Sequence, residues 1–157
     1  MNYKFVTILV MGVAGSGKKT IAKFLSEKIN AFLIKMRDSI VPNDNDRYDL
    51  LIKLKEEIDK RRSFQNLDVA CSALKEKYRS ILNVKEEYLV YLKITKNTSN
   101  TRIKNRQGHF MPDSLVNSQF AILEEPDVCI TLDETLKPDE MITHLTSIIE
   151  NKFDYGR

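Results

Sequence analysis

Apolar runs alternate along this 157-residue chain with stretches whose apolar positions repeat at helical spacing. The runs predict buried strands at 5–11, 67–71, 88–94 and 128–132, and a very short strand at 32–34. The amphipathic stretches predict helices at 18–30, 45–61, 75–82, 98–107, 112–124 and 138–151. Strands that alternate with helices imply parallel βαβ units. We therefore expect an α/β fold in which a five-stranded parallel sheet carries helices on both faces, with ligands at the C-terminal ends of the strands.

Composition and charge narrow the class of protein. A chain of this length is expected to form one domain with a substantial core. The formal net charge is +3, and its cations are mixed with acidic residues, as in residues 53–62. We therefore expect no nucleic-acid partner and no membrane partner. Cys71 and Cys129 both lie in apolar runs, which favours two buried, reduced thiols in a cytoplasmic protein.

A glycine-rich segment follows the first strand and precedes the first helix. It fits the phosphate-binding pattern G-x-x-x-x-G-K-[ST] except at its last position, and it contains three of the five glycines. Backbone N–H groups, a helix N-terminus and a lysine ammonium would together hold nucleotide phosphates. The alternative is an ordinary glycine-rich turn. We call residues 12–20 the phosphate loop, and its candidate nucleotide-binding residues are Gly12, Val13, Ala14, Gly15, Ser16, Gly17, Lys18, Lys19 and Thr20.

Lys19 stands where the pattern requires a serine or threonine. That hydroxyl normally supplies an oxygen ligand to Mg²⁺, and an ammonium group cannot replace it. Thr20 offers a hydroxyl one residue later, but the helical turn directs it about 100° away, towards the α-phosphate. The sequence therefore predicts a nucleotide-phosphate site and assigns no residue as a metal ligand.

Two further pairs of polar residues suit phosphoryl transfer. Arg102 and Arg106 are four residues apart on a predicted helix, so both project from one face and would stabilise the charge on a transferring phosphoryl group. The alternative is a solvated basic helix face. Ser72 and Lys75 follow a predicted strand at its C-terminal end, where they would suit a polyhydroxylated or anionic substrate. The alternative there is that Ser72 caps a helix start.

Longer segments carry a resemblance to the gluconokinase family of small P-loop kinases. They are spread over nearly the whole chain in the family's order. The most specific are the Ala70-Cys-Ser-Ala-Leu-Lys75 segment, the Gly-His-Phe-Met segment at 108–111 and the Ser-Gln-Phe segment at 118–120. The matching segments are 11–18, 35–36, 44–47, 70–75, 78–79, 102–111, 118–124 and Pro126.

The resemblance implies a P-loop three-layer sandwich like that of nucleoside monophosphate kinases. It implies one kinase domain over 1–157 with a helical lid at about 97–111, and ATP-dependent phosphorylation of the 6-hydroxyl of D-gluconate. Mg²⁺ is expected of such a family, and a homodimer would fit it. By position, Lys18 would bridge the β- and γ-phosphates, and Arg102 and Arg106 would belong to the mobile lid. The candidates for the sugar-acid pocket are Arg47, Ser72, Lys75, His109 and Gln119. Alternatively, His109 and Gln119 cap or brace a hinge at Gly108.

The chain departs from the family pattern after the second predicted strand. The family has an Asp-Gly-Asp segment and a His-Pro pair there, whereas Phe32-Leu-Ile34 runs directly into Lys35-Met36. The missing aspartates would hold Mg²⁺ through water and accept the proton of the attacking hydroxyl, a role worth about 10²–10⁴-fold in rate. Asp38 and Asp44 are candidate replacements. Two hypotheses follow: an active gluconokinase with an altered metal site, or a relative that binds nucleotide or sugar acid without efficient turnover. A nucleotide kinase is a third alternative.

Overall fold

The computed structural model describes residues 5–36, 44–105 and 113–152, and of Asp44, Asp113, Asn151 and Lys152 the backbone alone. Five strands form one sheet: β1 (Thr7–Met11), β2 (Phe32–Lys35), β3 (Leu67–Ala70), β4 (Leu89–Lys93) and β5 (Ile130–Asp133). Their order is β2-β3-β1-β4-β5, and all neighbouring pairs are parallel. The helices of these residues are α1 (Lys18–Ile29), α2 (Asp44–Arg61), α3 (Glu76–Leu82), α4 (Lys96–Lys104), α5 (Asp113–Ile122) and α6 (Pro138–Lys152). The predicted α/β fold with a five-stranded parallel sheet is confirmed.

The apolar run of β1 reflects its central place in the sheet. All five of its residues are buried, since β3 and β4 flank it and helices cover both of its faces. Ile8 and Val10 pack with the apolar faces of α1 and α6, whereas Leu9 and Met11 pack with those of α2 and α3. This alternation is the strand's period of two. Each such side chain stabilises the fold by about 1.5–3 kcal/mol through burial.

The register of the sheet places two loops side by side. Val10 of β1 pairs with Ala70 of β3, and both strands end within one residue of that pair. The phosphate loop therefore leaves β1 next to the loop at 71–75 that joins β3 to α3. Both emerge at the C-terminal edge of the sheet, where ligands bind in open α/β sheets.

Several element boundaries differ from the predicted ones. Helix α4 begins at Lys96 instead of residue 98, because the Thr95 hydroxyl accepts a hydrogen bond from the Thr98 N–H at 3.1 Å and caps the helix. Strand β4 begins at Leu89 and follows a short 3₁₀ turn at Glu86–Tyr88. The predicted end of α4 at residue 107 and the hinge at Gly108 lie outside the described residues.

The two cysteines only partly match the expectation. Cys71 is buried, but Cys129 is partly exposed, because it lies in the loop before the edge strand β5. Neither forms a disulfide. None of the helices in the described ranges has both the length and the apolar content that crossing a bilayer requires.

Candidate active site

Three glycines shape the phosphate loop. Gly15 and Gly17 have φ angles of 81° and 91°, in the left-handed region that side chains with a Cβ rarely adopt. Gly12 is required for a different reason, because a Cβ there would lie 2.5 Å from the Ser16 hydroxyl. The loop is therefore a tight turn whose backbone can closely approach a ligand.

The start of α1 offers several groups to an anion. Gly17 at the N-cap supplies no side-chain hydrogen bond, so the first N–H groups of the helix lack the usual cap. Lys18 opens the helix and is 4% exposed. The buried Ser16 hydroxyl has no hydrogen-bond partner among the described residues. These groups fit the phosphates of a nucleotide, which would accept hydrogen bonds from the helix N-terminus and from the hydroxyl.

Side chains from α4 and α5 hold the outer side of the phosphate loop. The Ser99 hydroxyl donates to the Ala14 carbonyl at 2.6 Å, and the Ala14 N–H donates to Gln119 Oε1 at 2.7 Å. Arg102 Nη1 donates to the Gly15 carbonyl at 3.0 Å. The structure thus brings Arg102 to the phosphate loop, whereas Arg106 lies outside the described residues.

Sequence reasoning missed Ser99, which is fully buried against the loop. Its only sequence signal is its position three residues before Arg102, on the same helix face. The resemblance places Gln119 in the sugar-acid pocket, and in the structure its amide oxygen accepts a hydrogen bond from the Ala14 N–H. His109 lies outside the described residues.

The loop at 71–75, with the start of α2, forms the cationic side of the site. Ser72 is buried there. The Arg47 guanidinium lies 6.0 Å from the centroid of the Tyr78 ring, and the Lys75 ammonium lies 5.6 Å from it. The structure therefore brings Arg47 and Lys75, which are 28 positions apart in sequence, to one aromatic ring. Two cations beside a buried serine suit an anionic, hydroxylated ligand.

The alternative prediction that Ser72 caps α3 is wrong. The helix begins at Glu76, and its N-cap residue is Lys75, which supplies no side-chain hydrogen bond. The Glu76 N–H instead donates to Glu124 Oε1 at 2.9 Å. Because a carboxylate from beyond α5 satisfies this helix start, the Ser72 hydroxyl is not needed for capping.

Arg79 and the backbone of Glu124 fix the same loop. The Arg79 guanidinium donates to the Ala73 carbonyl at 2.8 Å and to the Glu124 carbonyl at 2.9 Å. Burial lowers the pKa of Arg79, and the nearby Glu124 carboxylate opposes that change. Ala73 has a φ of 45°, an unfavourable conformation for a residue with a Cβ. The Arg79 contact therefore holds a strained turn next to Ser72.

The described residues do not fit a protein-held Mg²⁺. Lys19 is exposed on the first turn of α1, where a hydroxyl ligand would be required. Within 5–36, 44–105 and 113–152, no group of three or more His, Cys, Asp or Glu side chains is placed to hold a metal ion. Asp38 lies outside these ranges, and the side chain of Asp44 is not described.

Comparison with known proteins shows which family the chain belongs to. No protein-family model matches the chain. The chain is 37% identical over 146 residues to a protein of Schizosaccharomyces pombe described as a probable gluconokinase, covering 79% of this chain and 75% of that protein. A sugar kinase from Janibacter has a TM-score of 0.79 and 32% identity, over 93% of this chain and 95% of that one. A gluconokinase from Sinorhizobium meliloti has a TM-score of 0.76 and 26% identity, over the full length of both.

The parallel sheet, the phosphate loop after β1 and these structural relatives define an α/β kinase of the P-loop fold. Within that class, the chain belongs to the gluconokinase family.

Proposed function

We propose that this protein transfers the γ-phosphoryl group of ATP to the 6-hydroxyl of D-gluconate and releases ADP and 6-phosphogluconate. The observation that carries the proposal is the pairing of Val10 with Ala70, which sets the phosphate loop beside the loop at 71–75. A donor held by the first loop and an acceptor held by the second would meet at the C-terminal edge of the sheet. The names of the relatives support gluconate as the acceptor.

On the donor side, the phosphate loop and Lys18 would bind the phosphates through backbone N–H groups and the ammonium charge. Arg102 is already within hydrogen-bond distance of the loop, at the Gly15 carbonyl. A guanidinium in this place would neutralise charge that develops on the transferred phosphoryl group. We propose that α4, together with the segment up to about residue 111, forms the lid and that Arg106 and His109 act from it.

On the acceptor side, Arg47 and Lys75 would bind the carboxylate of the sugar acid, and Ser72 would bind one of its hydroxyls. Both cations lie near the Tyr78 ring, at 6.0 and 5.6 Å from its centroid, which supports a shared role in binding one anion. An acceptor bound by its carboxylate would keep its far hydroxyl free for transfer. That hydroxyl loses its proton as the new oxygen–phosphorus bond forms and the bond to ADP breaks.

The test measures ADP release with a panel of acceptors. Gluconate should stimulate ADP release, whereas sorbitol, which lacks the carboxylate, and AMP, the acceptor of a nucleotide kinase, should not. Phosphorus NMR identifies the phosphorylated position. Lys18→Met should abolish the gluconate-dependent signal. ADP release that gluconate does not change, with intact ATP binding, would favour the non-catalytic relative instead.

Assembly and location extend the same proposal. We propose a homodimer acting in the cytoplasm on a small-molecule substrate, without nucleic-acid or membrane partners. Analytical ultracentrifugation of the full chain at micromolar concentration tests the assembly state, and a monomer at all concentrations would contradict it.

A further inference from the structure

Helix α5 contacts both loops that would hold the two substrates. Gln119, in its second half, contacts the phosphate loop, and Glu124, two residues beyond its end, contacts the loop at 71–75. The two residues are separated by five positions along one short segment.

At the phosphate loop, Gln119 of the helix forms one of two side-chain hydrogen bonds to the backbone of Ala14. The Ala14 N–H donates to Gln119 Oε1, and the Ala14 carbonyl accepts from the Ser99 hydroxyl. Both side chains are buried. Both backbone polar groups of Ala14 are therefore held by side chains from elsewhere, which fixes the orientation of this peptide unit and of the glycine turn that follows.

At the loop at 71–75, Glu124 forms three hydrogen bonds. Its N–H donates to the Leu74 carbonyl at 2.8 Å, and its carboxylate accepts from the Glu76 N–H. Its carbonyl accepts from Arg79, which also donates to Ala73. A single residue thus sets the position of this loop and of the helix that follows it.

Apolar packing joins the two contacts. Val13 of the phosphate loop and Leu74 of the neighbouring loop belong to one buried cluster, against which Phe120 and Leu123 of the α5 segment pack. Ala14 lies in a second cluster with Val116 of α5, and Phe120 also packs against that cluster. The two loops and the helix therefore share one apolar contact region. A shift of the helix would displace both loops.

We propose that α5 sets the distance and orientation between the donor and acceptor loops, with Gln119 and Glu124 as positioning residues. The proposal rests on the proposed function, since it assigns donor and acceptor to these loops. Phosphoryl transfer depends on near-attack placement, and a misplacement of about 1 Å can cost about 10²-fold in rate. Gln119 and Glu124 contact the backbone of the two loops, so loss of either contact would disturb their alignment more than the binding of either ligand.

The first test separates alignment from folding. Gln119→Met removes the amide acceptor at nearly constant size, and Gln119→Glu retains an oxygen at the same position. We expect Gln119→Met to lower kcat about 10–100-fold while the KM for each substrate changes less than about 3-fold. Gln119→Glu should recover part of kcat. The matched control is Asn117→Ala, at an exposed position of the same helix, and it should leave kcat unchanged.

The second test measures whether Gln119 and Glu124 act together on kcat. Glu124→Ala should show the same loss in kcat, and the double variant with Gln119→Met should lose less than the product of the two single effects, because both act on one spacing. Multiplicative losses would mean that the two contacts act independently, and the proposal would fail. Losses confined to melting temperature, with kcat of the folded fraction unchanged, would also overturn it.

A third measurement does not depend on the identity of the acceptor. In the wild-type protein, ADP should slow hydrogen exchange of the amides at 72–76. ADP would order the phosphate loop, and α5 would pass that ordering to the loop at 71–75. Gln119→Met should remove this effect and Asn117→Ala should retain it. If gluconate is not phosphorylated but ADP slows this exchange, the proposed function is wrong and the coupling stands. If ADP leaves 72–76 unchanged in the wild type, the coupling is wrong whatever the acceptor.

Discussion

Gln119 on α5 accepts a hydrogen bond of 2.7 Å from the N–H of Ala14, a residue 105 positions earlier in the chain. Because the Ala14 N–H donates to Gln119, it does not face a phosphate. Phosphate binding is left to the N–H groups of the turn that follows. A glutamine that resemblance places in the sugar-acid pocket is thus used, in this structure, to shape the donor site.

Replacement of Arg102 should affect catalysis more than binding. Arg102→Met removes the guanidinium beside Gly15, so we expect kcat to fall at least about 10-fold, with a smaller change in the dissociation constant of ADP. Lys104→Met, on the same helix and exposed, is the matched control and should have little effect. Steady-state kinetics with calorimetric ADP titration separate the two quantities. Equal losses in kcat and in ADP affinity would argue against a transition-state role.

Lys19 should reduce the dependence of nucleotide binding on Mg²⁺. An ammonium in the place of the hydroxyl ligand repels the metal and partly neutralises the phosphates itself. Lys19→Ser should therefore increase the gain in ATP affinity that Mg²⁺ provides, by about 10-fold or 1.4 kcal/mol. The measurement is an ATP titration with Mg²⁺ and with EDTA. Lys23→Ser, at an exposed position on the same helix, serves as the control, and an equal response of the two variants would refute this account of Lys19.

Lys75 and Lys77 offer a matched pair for the acceptor site. Both ammonium groups lie within 6 Å of the centroid of the Tyr78 ring, at 5.6 and 5.9 Å, but Lys77 is exposed on the first turn of α3. Lys75→Met should raise the KM for gluconate about 10–100-fold, the usual worth of one charge-assisted hydrogen bond. Lys77→Met should leave it unchanged. A similar rise in both variants would show that general positive charge, not a specific contact, attracts the substrate.

Asp68 should make the stability of the fold depend on pH. Its carboxylate is fully buried on β3 between Ile8 and Leu33 of the neighbouring strands, and neither oxygen has a hydrogen-bond partner among the described residues. Burial raises the pKa of this carboxyl well above its ordinary value. Above about pH 4 the unfolded chain releases the proton while the folded protein keeps it, so stability falls as the pH rises towards the folded-state pKa.

Asp68→Asn removes this titration without changing the size of the side chain. The melting temperature of the variant should exceed that of the wild type at pH 7 and approach it near pH 4, by thermal denaturation followed with circular dichroism. Asp133→Asn, at the exposed end of β5, is the control. A difference between Asp68→Asn and wild type that stays constant over this pH range would show that Asp68 does not titrate as its burial requires.

The sequence by itself determined the fold class and the phosphate loop. Both are local signals. A largely apolar central strand such as β1 must be covered on both faces, and the glycines of the loop are required by backbone angles within a few residues. The substitution at Lys19 is also recognised from the sequence alone, since the motif specifies which position supplies the hydroxyl ligand to the metal.

Only the tertiary structure decided which side chains hold that loop and its neighbour. Ser99, Gln119 and Glu124 form hydrogen bonds with residues 85, 105 and 48 positions earlier in the chain. No rule of sequence spacing predicts such contacts. The alternative interpretation of Ser72 as a helix cap failed for the same reason, because the carboxylate that accepts from the start of α3 comes from Glu124 across the fold. Hydrogen bonds between distant segments depend on how helices pack on the sheet, and that packing is set by the whole core rather than by neighbouring residues.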